Sequence, residues 1–166
     1  MVNIELIIEF VNNYFTNPYL IPFIISMLPI AELRLAIPYG LLIQDLQLYK
    51  VIIVSIFGNF LITIPIFLLL KYVSNKIMKY KYIYHIMNWV FDRTRRKSQY
   101  IEKYKFFGLI FFVGIPLPVT GAWTGCIASY LFDIDEKRTF LGLFIGICMS
   151  ACIVSLLTTL GYYVIK

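Results

Sequence analysis

The stretch YLIPFIISMLPIAELRLAIPYGLLI, residues 19–43, decides the fold class. It is apolar over a length that could cross a bilayer, since about 20 residues at 1.5 Å each are enough. Yet Pro22, Pro29, Pro38 and Gly40 interrupt it, and Glu32 and Arg34 stand near its middle. Interior prolines remove backbone hydrogen bonds, and ionisable groups are costly at membrane depth. A lipid-facing helix tolerates neither, so residues 19–43 read as a broken helix or re-entrant hairpin enclosed by protein.

The composition agrees. Of 166 residues 60% are hydrophobic and only 14% charged, and mean hydropathy is +0.80. So few charges cannot cover the surface of a water-soluble domain this small, whereas a lipid-facing surface needs none. We therefore read a single all-α integral membrane domain over residues 1–166. The net charge is +6, but residues 71–105 alone hold ten Lys or Arg against two acids, Asp92 and Glu102. A local basic segment between apolar ones follows the positive-inside rule, placing 71–105 in the cytoplasm against anionic lipid. Nucleic acid is not an expected partner. His85 stands alone, and Cys126, Cys148 and Cys152 show no CxxC spacing, so neither a metal nor a cofactor is expected. Glu5 and Glu9 stand where a secretory signal carries Lys or Arg, which predicts no cleavable leader.

Along the chain, residues 1–17 read as an interfacial amphipathic helix, with Ile4, Ile7, Ile8 and Val11 on one face, ending at Asn17-Pro18. Residues 51–70 are uncharged between Lys50 and Lys71 and form the first spanning helix, with Asn59 as a mid-membrane amide and Pro65 as a candidate kink. The basic segment carries a stripe of Ile77, Tyr80, Tyr84 and Met87, with Trp89 nearby, suited to the headgroup region. Residues 106–132 are a second charge-free stretch broken by Gly114, Pro116, Pro118, Gly121 and Gly125, a second re-entrant hairpin. After the charged turn 133–138, residues 139–165 form the second spanning helix, with a GxxxG spacing at Gly142 and Gly146.

Broken segment, acidic turn and intact helix thus occur twice. If each broken segment leaves the membrane on the side it entered, each copy crosses once and the copies are inverted. The alternative is four full crossings. Both put 71–105 in the cytoplasm, but only the re-entrant topology also puts Lys137 and Arg138 there, leaving Lys50 outside.

Two constellations carry chemistry. In Pro29-Ile-Ala-Glu32-Leu-Arg34-Leu-Ala-Ile-Pro38-Tyr-Gly40, Glu32 and Arg34 are two apart and do not share a face of a regular helix. An unwound link between half-helices would aim both into one cavity, Glu32 as a proton-titrating group and Arg34 as an anion-binding one. A purely structural ion pair at the hairpin tip is the alternative. In Pro116-Leu-Pro118-Val-Thr120-Gly121-Ala-Trp123-Thr124-Gly125, prolines, hydroxyls and glycines describe a turn that opens a helix, whose free N–H groups favour an anion. Thr120 and Thr124 add hydroxyl donors, and Trp123 a surface to pack on or gate the ligand. A kinked helix with a tight contact at Gly121 and Gly125 is the structural alternative.

The pairing of PxxExRxAIPYG (29–40) with FVGIPLPVTGAWTG (112–125) across a basic middle resembles the prokaryotic small multidrug export protein family over nearly the whole chain. One departure is Val119, where that pattern leads us to expect Gly. That family is in turn distantly similar to the DedA superfamily. The resemblance implies paired inverted re-entrant hairpins, movement of lipids such as polyprenyl-phosphate carriers, and proton dependence.

These readings make the chain a multi-pass protein of the cell membrane that is not an enzyme. Its expected role is a proton-coupled transporter or flippase for an amphipathic, lipid-phosphate-like anion, with lipids, protons and that substrate as partners. Efflux of cationic compounds with Glu32 as counter-charge is the second reading; Arg34 opposes it, because a neighbouring cation repels a cation. A non-transporting assembly protein is the third. A homodimer is plausible, since two crossing helices hardly enclose two polar hairpins.

Overall fold

A computed structural model describes residues 17–77, 105–117 and 120–165. The interfacial helix expected before Asn17, most of the basic segment (78–104, with His85 and Trp89), Pro118 and Val119 lie outside the described residues.

The first broken segment forms helices α1, Leu20–Met27, and α2, Glu32–Pro38, which pack against each other. Pro29 sits in the turn between them, where a missing N–H costs nothing. Pro38 does not end the helical path. The chain widens into a π-helical turn over Tyr39–Ile43, a usual adjustment where a proline disturbs the regular ladder. The second broken segment likewise gives α4, Phe106–Gly114, and α5, Ala122–Leu131, again packed on one another. At 1.5 Å per residue these four helices span only about 10 to 15 Å each, well short of the hydrocarbon thickness of about 30 Å.

Two long helices stand apart from these, α3 over Leu48–Ile77 and α6 over Glu136–Ile165, each of 30 residues. Both start three residues before the uncharged runs (51–70, 139–165), because the helical ladder continues through Lys50 and through Glu136-Lys137-Arg138. Glu136 in the first turn of α6 suits the positive end of the helix dipole. Pro65 lies within α3 without dividing it. Among the described residues these are two helices long and apolar enough to cross a membrane, over Leu48–Tyr72 and Glu136–Val164. Ile53, Phe57 and Leu69 on α3, and Leu141, Leu156 and Leu157 on α6, are exposed. Apolar side chains so placed belong in lipid, and the chain is an α-helical membrane protein.

The chain falls into two compact units, residues 1–59 with 151–166, and residues 60–150. The first holds α1, α2, the start of α3 and the end of α6. The second holds α4, α5, the end of α3 and the start of α6. The two share a local design. Asp45 and Asp133, 88 positions apart, both have φ 49°, the left-handed conformation that Asp tolerates better than most side chains. Each follows the end of a hairpin and stands three residues before a 30-residue helix. Just past them, the Leu46 N–H donates to the Gly40 carbonyl and the Ile134 N–H to the Ser129 carbonyl, both at 2.9 Å. Such bonds satisfy carbonyls orphaned at a helix end. Val51, Ser55, Gly58, Asn59 and Thr63 are buried on α3, and so are Thr139, Leu143, Gly146, Ile147 and Ala151, each 88 positions later on α6.

Within each unit the hairpin sits directly on a glycine of a long helix. A methyl group on Gly58 would lie 2.7 Å from the Phe23 carbonyl oxygen, and one on Gly146 2.9 Å from that of Ile110. Backbone approaches this close are what small residues permit in membrane helices. Gly40 lies equally tight against Val51, and Gly125 against Val113 and Leu143.

Candidate functional site

Glu32 opens α2 with φ 46°, a left-handed conformation unusual for a side chain of this length, and is only 7% exposed. Such a conformation is held in place by its surroundings, and it recurs at Asp45, Lys105 and Asp133, each just ahead of a helix. Its amide donates to the Leu28 carbonyl at 3.1 Å, tying it back to the end of α1. Arg34 follows within the same first turn, half-buried and within the electrostatic reach of the Glu32 carboxylate. The expectation of an unwound link carrying both charges is therefore corrected. The link is Leu28–Ala31, built by Pro29, and both charged residues belong to the helix that follows.

In the second hairpin, Pro116 lies in the link between α4 and α5, and Gly121 leads in extended backbone into α5. Thr120 Oγ1 lies 2.9 Å from the carbonyl oxygens of both Ile115 and Leu117, which closes the turn. Thr124 Oγ1 donates to the Gly121 carbonyl at 3.3 Å. Both hydroxyl protons are thus directed at the backbone of their own hairpin. Trp123 is half-buried in the first turn of α5.

A polar feature of α3 is missing from the sequence motifs. Ser55, Asn59 and Thr63 recur every four residues along α3 and are each at most 1% exposed. Ser26, on α1 opposite Gly58, is buried as well. Thr63 and Ser26 bond to carbonyls of their own helices at 2.6 Å. Ser55 Oγ and Asn59 Oδ1 are buried with no hydrogen-bond partner among the described residues. Orphaned polar atoms in a membrane helix cost free energy unless a donor reaches them, and they mark a polar track in an otherwise apolar element. The signal was legible as a polar residue at every fourth position of an uncharged run, of which only Asn59 stood out by chemistry.

Chemically, a buried carboxylate beside a guanidinium can exchange a proton or hold an anion at the arginine. Cys126 is buried, with its Sγ 3.7 Å from the Thr63 carbonyl, and it packs as a small core side chain.

Residues 32–153, well over half the chain and beginning at Glu32 itself, match the family described as "Putative small multi-drug export protein". No curated protein and no solved structure matches.

Proposed function

The chain belongs to the small multi-drug export protein family, and on that premise we propose that it is a proton-coupled transporter of the cell membrane that moves an amphipathic, lipid-phosphate-like anion. Glu32 is the proton-exchanging group and Arg34 the anion-binding group. The observation that carries this reading is the buried, left-handed Glu32 with Arg34 in the same turn of a helix far too short to span a bilayer. Thr120, Trp123 and Thr124 are further substrate contacts in this proposal; the two hydroxyls would swing from their backbone carbonyls to the ligand. The short paired helices support re-entrant hairpins, and the matched aspartate joints and equal long helices support two copies of one unit in opposite orientation, as in transporters with inverted repeats. The basic segment 71–105 then faces the cytoplasm. A DedA-like lipid-moving role and a homodimeric assembly belong to the same reading.

The family's description favours a second reading, export of drugs, in which Glu32 pairs with a cation. The Arg34 guanidinium in the same turn weakens it.

Reconstituted protein in liposomes with an imposed pH gradient tests the coupling. Glu32→Gln keeps the shape and removes the titration, so uptake driven by the gradient should disappear while the protein remains folded. Glu32→Ala should in addition destabilise the fold, because both variants remove the counter-charge of Arg34 but only Gln keeps a side-chain oxygen that can accept a hydrogen bond there. Full gradient-driven activity in Glu32→Gln refutes the proton role, and the absence of any transport in the parent protein favours an assembly role.

A further inference from the structure

In the first unit a half-open cleft of about 220 Å³ lies between the Asp45 joint and the last turns of α6. Asp45, Thr158, Thr159, Tyr162 and Tyr163 line it, against a wall of leucines that includes Leu46 and Leu48. The Tyr162 and Tyr163 rings stand edge to face, 5.9 Å between centroids and 73° between planes, making an aromatic corner. Both threonine hydroxyls donate to carbonyls one turn back, at 2.8 Å, and so present their lone pairs rather than their protons. Asp45 makes no ion pair among the described residues. Lys50, the nearest cation in sequence, is instead held over the Tyr19 and Tyr49 rings at 5.6 and 5.8 Å. A carboxylate, aromatic faces and hydroxyl acceptors in an apolar setting, with no cation in the lining, are complementary to a positively charged head group.

The second unit supplies its own comparison. Counting back 88 positions, Thr159 of the cleft corresponds to Lys71, and Leu48 corresponds to Glu136. There, the Lys71 ammonium bonds to the Glu136 carboxylate at 2.5 Å. Lys105, which precedes α4 as Tyr19 precedes α1, donates its ammonium to the Phe132 carbonyl at 2.8 Å, one residue from Asp133. The second unit thus closes its joint with two side-chain ammonium groups. In the first unit, the corresponding positions are Thr159 and Tyr19, which carry none.

We propose that the cleft at Asp45, Thr159, Tyr162 and Tyr163 binds an organic ammonium head group carried on an apolar chain. Its volume suits a head group and not a whole drug-sized molecule. The exposed Leu42, Leu48 and Tyr163 provide a path for the apolar part towards lipid. Tyrosines near the end of a spanning helix stand where lipid head groups lie. An ethanolamine lipid and a free alkylammonium share this chemistry. The site is separate from the Glu32 site and does not depend on the transport reading.

Native mass spectrometry of the purified full chain in a neutral glycoside detergent tests it, with phosphatidylethanolamine and octyltrimethylammonium as separate probes and phosphatidylglycerol as the anionic control. The parent protein should retain at least one of the two probes about threefold or more above the control. Retention of the lipid alone, of the alkylammonium alone or of both identifies the source. Asp45→Asn, which keeps a residue at ease in left-handed backbone, should reduce retention at least threefold. Thr159→Lys, which introduces the ammonium of the second unit, should do the same by filling the cleft. Retention unchanged in both variants, neither probe bound above the control, or preferential binding of phosphatidylglycerol overturns the proposal.

Discussion

Gly58→Ala probes how the first hairpin is seated on α3. The new methyl carbon would stand 2.2 Å from Ser26 Oγ, 2.7 Å from the Phe23 carbonyl oxygen and 3.0 Å from its ring. Ser26 can rotate away only by breaking its 2.6 Å bond to that same carbonyl, at about 1 kcal/mol. The carbonyl is backbone and cannot rotate. Restoring an ordinary 3.4 Å contact from 2.7 Å requires α1 to retreat by 0.7 Å. Overpacking of this kind costs about 1–3 kcal/mol, while exchanging Gly for Ala inside a helix returns up to about 1 kcal/mol. The net expectation is a loss of about 1–3 kcal/mol. Gly161 on α6 has no atom within 4 Å of its hypothetical methyl, so Gly161→Ala keeps only the helix-forming gain. Denaturation in mixed detergent micelles should therefore rank Gly58→Ala below the parent protein and Gly161→Ala level with it or above. Adding Ser26→Ala to Gly58→Ala should recover part of the loss, because the nearest obstacle is gone. Equal stability of the two glycine variants would mean that α1 does not rest on Gly58 and would refute the packing described for the first unit.

Gly146→Ala should destabilise by a comparable amount in the same titration, since its methyl would meet the Ile110 carbonyl at 2.9 Å. Single cysteines at positions 45–50 and 133–138, labelled in intact cells, should react from opposite faces of the membrane, with 133–138 cytoplasmic; labelling of both from outside would sink the inverted-repeat topology. Arg34→Lys should preserve expression and fold but abolish transport of a phosphate-bearing substrate, because a point charge cannot replace a planar two-pronged contact; retained transport would leave Arg34 a structural partner of Glu32. The coupling between Lys71 and Glu136, measured by a double-mutant cycle, should fade in high salt, as expected of a pair whose side chains are 42% and 45% exposed.

What the sequence made legible was the part governed by long apolar runs and by proline. The positions of α3 and α6 followed from uncharged length, and the break at Pro29 from the cost of a missing N–H within an apolar stretch. The three-residue extensions at their starts were not legible, because Lys50 and Glu136 read as turn charges although a helix end in the head-group region accommodates both. The π-helical turn after Pro38 was also hidden, since a proline announces a disturbance but not whether the ladder stops or widens. The correspondence between the units does not show at the prolines, since Pro38 and Pro118 lie 80 positions apart. It became regular when counted from Asp45 and Asp133, whose left-handed backbone no composition or periodicity reveals. The cleft was illegible for a related reason: Asp45 and Tyr162 are far apart in sequence, and nothing in either segment points to the other.

The division into units also sets an order of assembly. Residues 60–150 are continuous, so every element of the second unit has been synthesised before the last turns of α6 are made. The first unit is made of the earliest described residues and the latest, 17–59 and 151–165. Its hairpin must wait at the insertion machinery, with Ser26 and Glu32 unsheltered, through the synthesis of about ninety further residues. Domains usually form from the N-terminus onward as they are synthesised; here the N-terminal one is completed last. A nascent chain ending at residue 150 and carried clear of the ribosome by a linker should therefore present a finished second unit and an open first one. Chaperones or proteases that survey half-inserted chains would meet the charged hairpin at that stage.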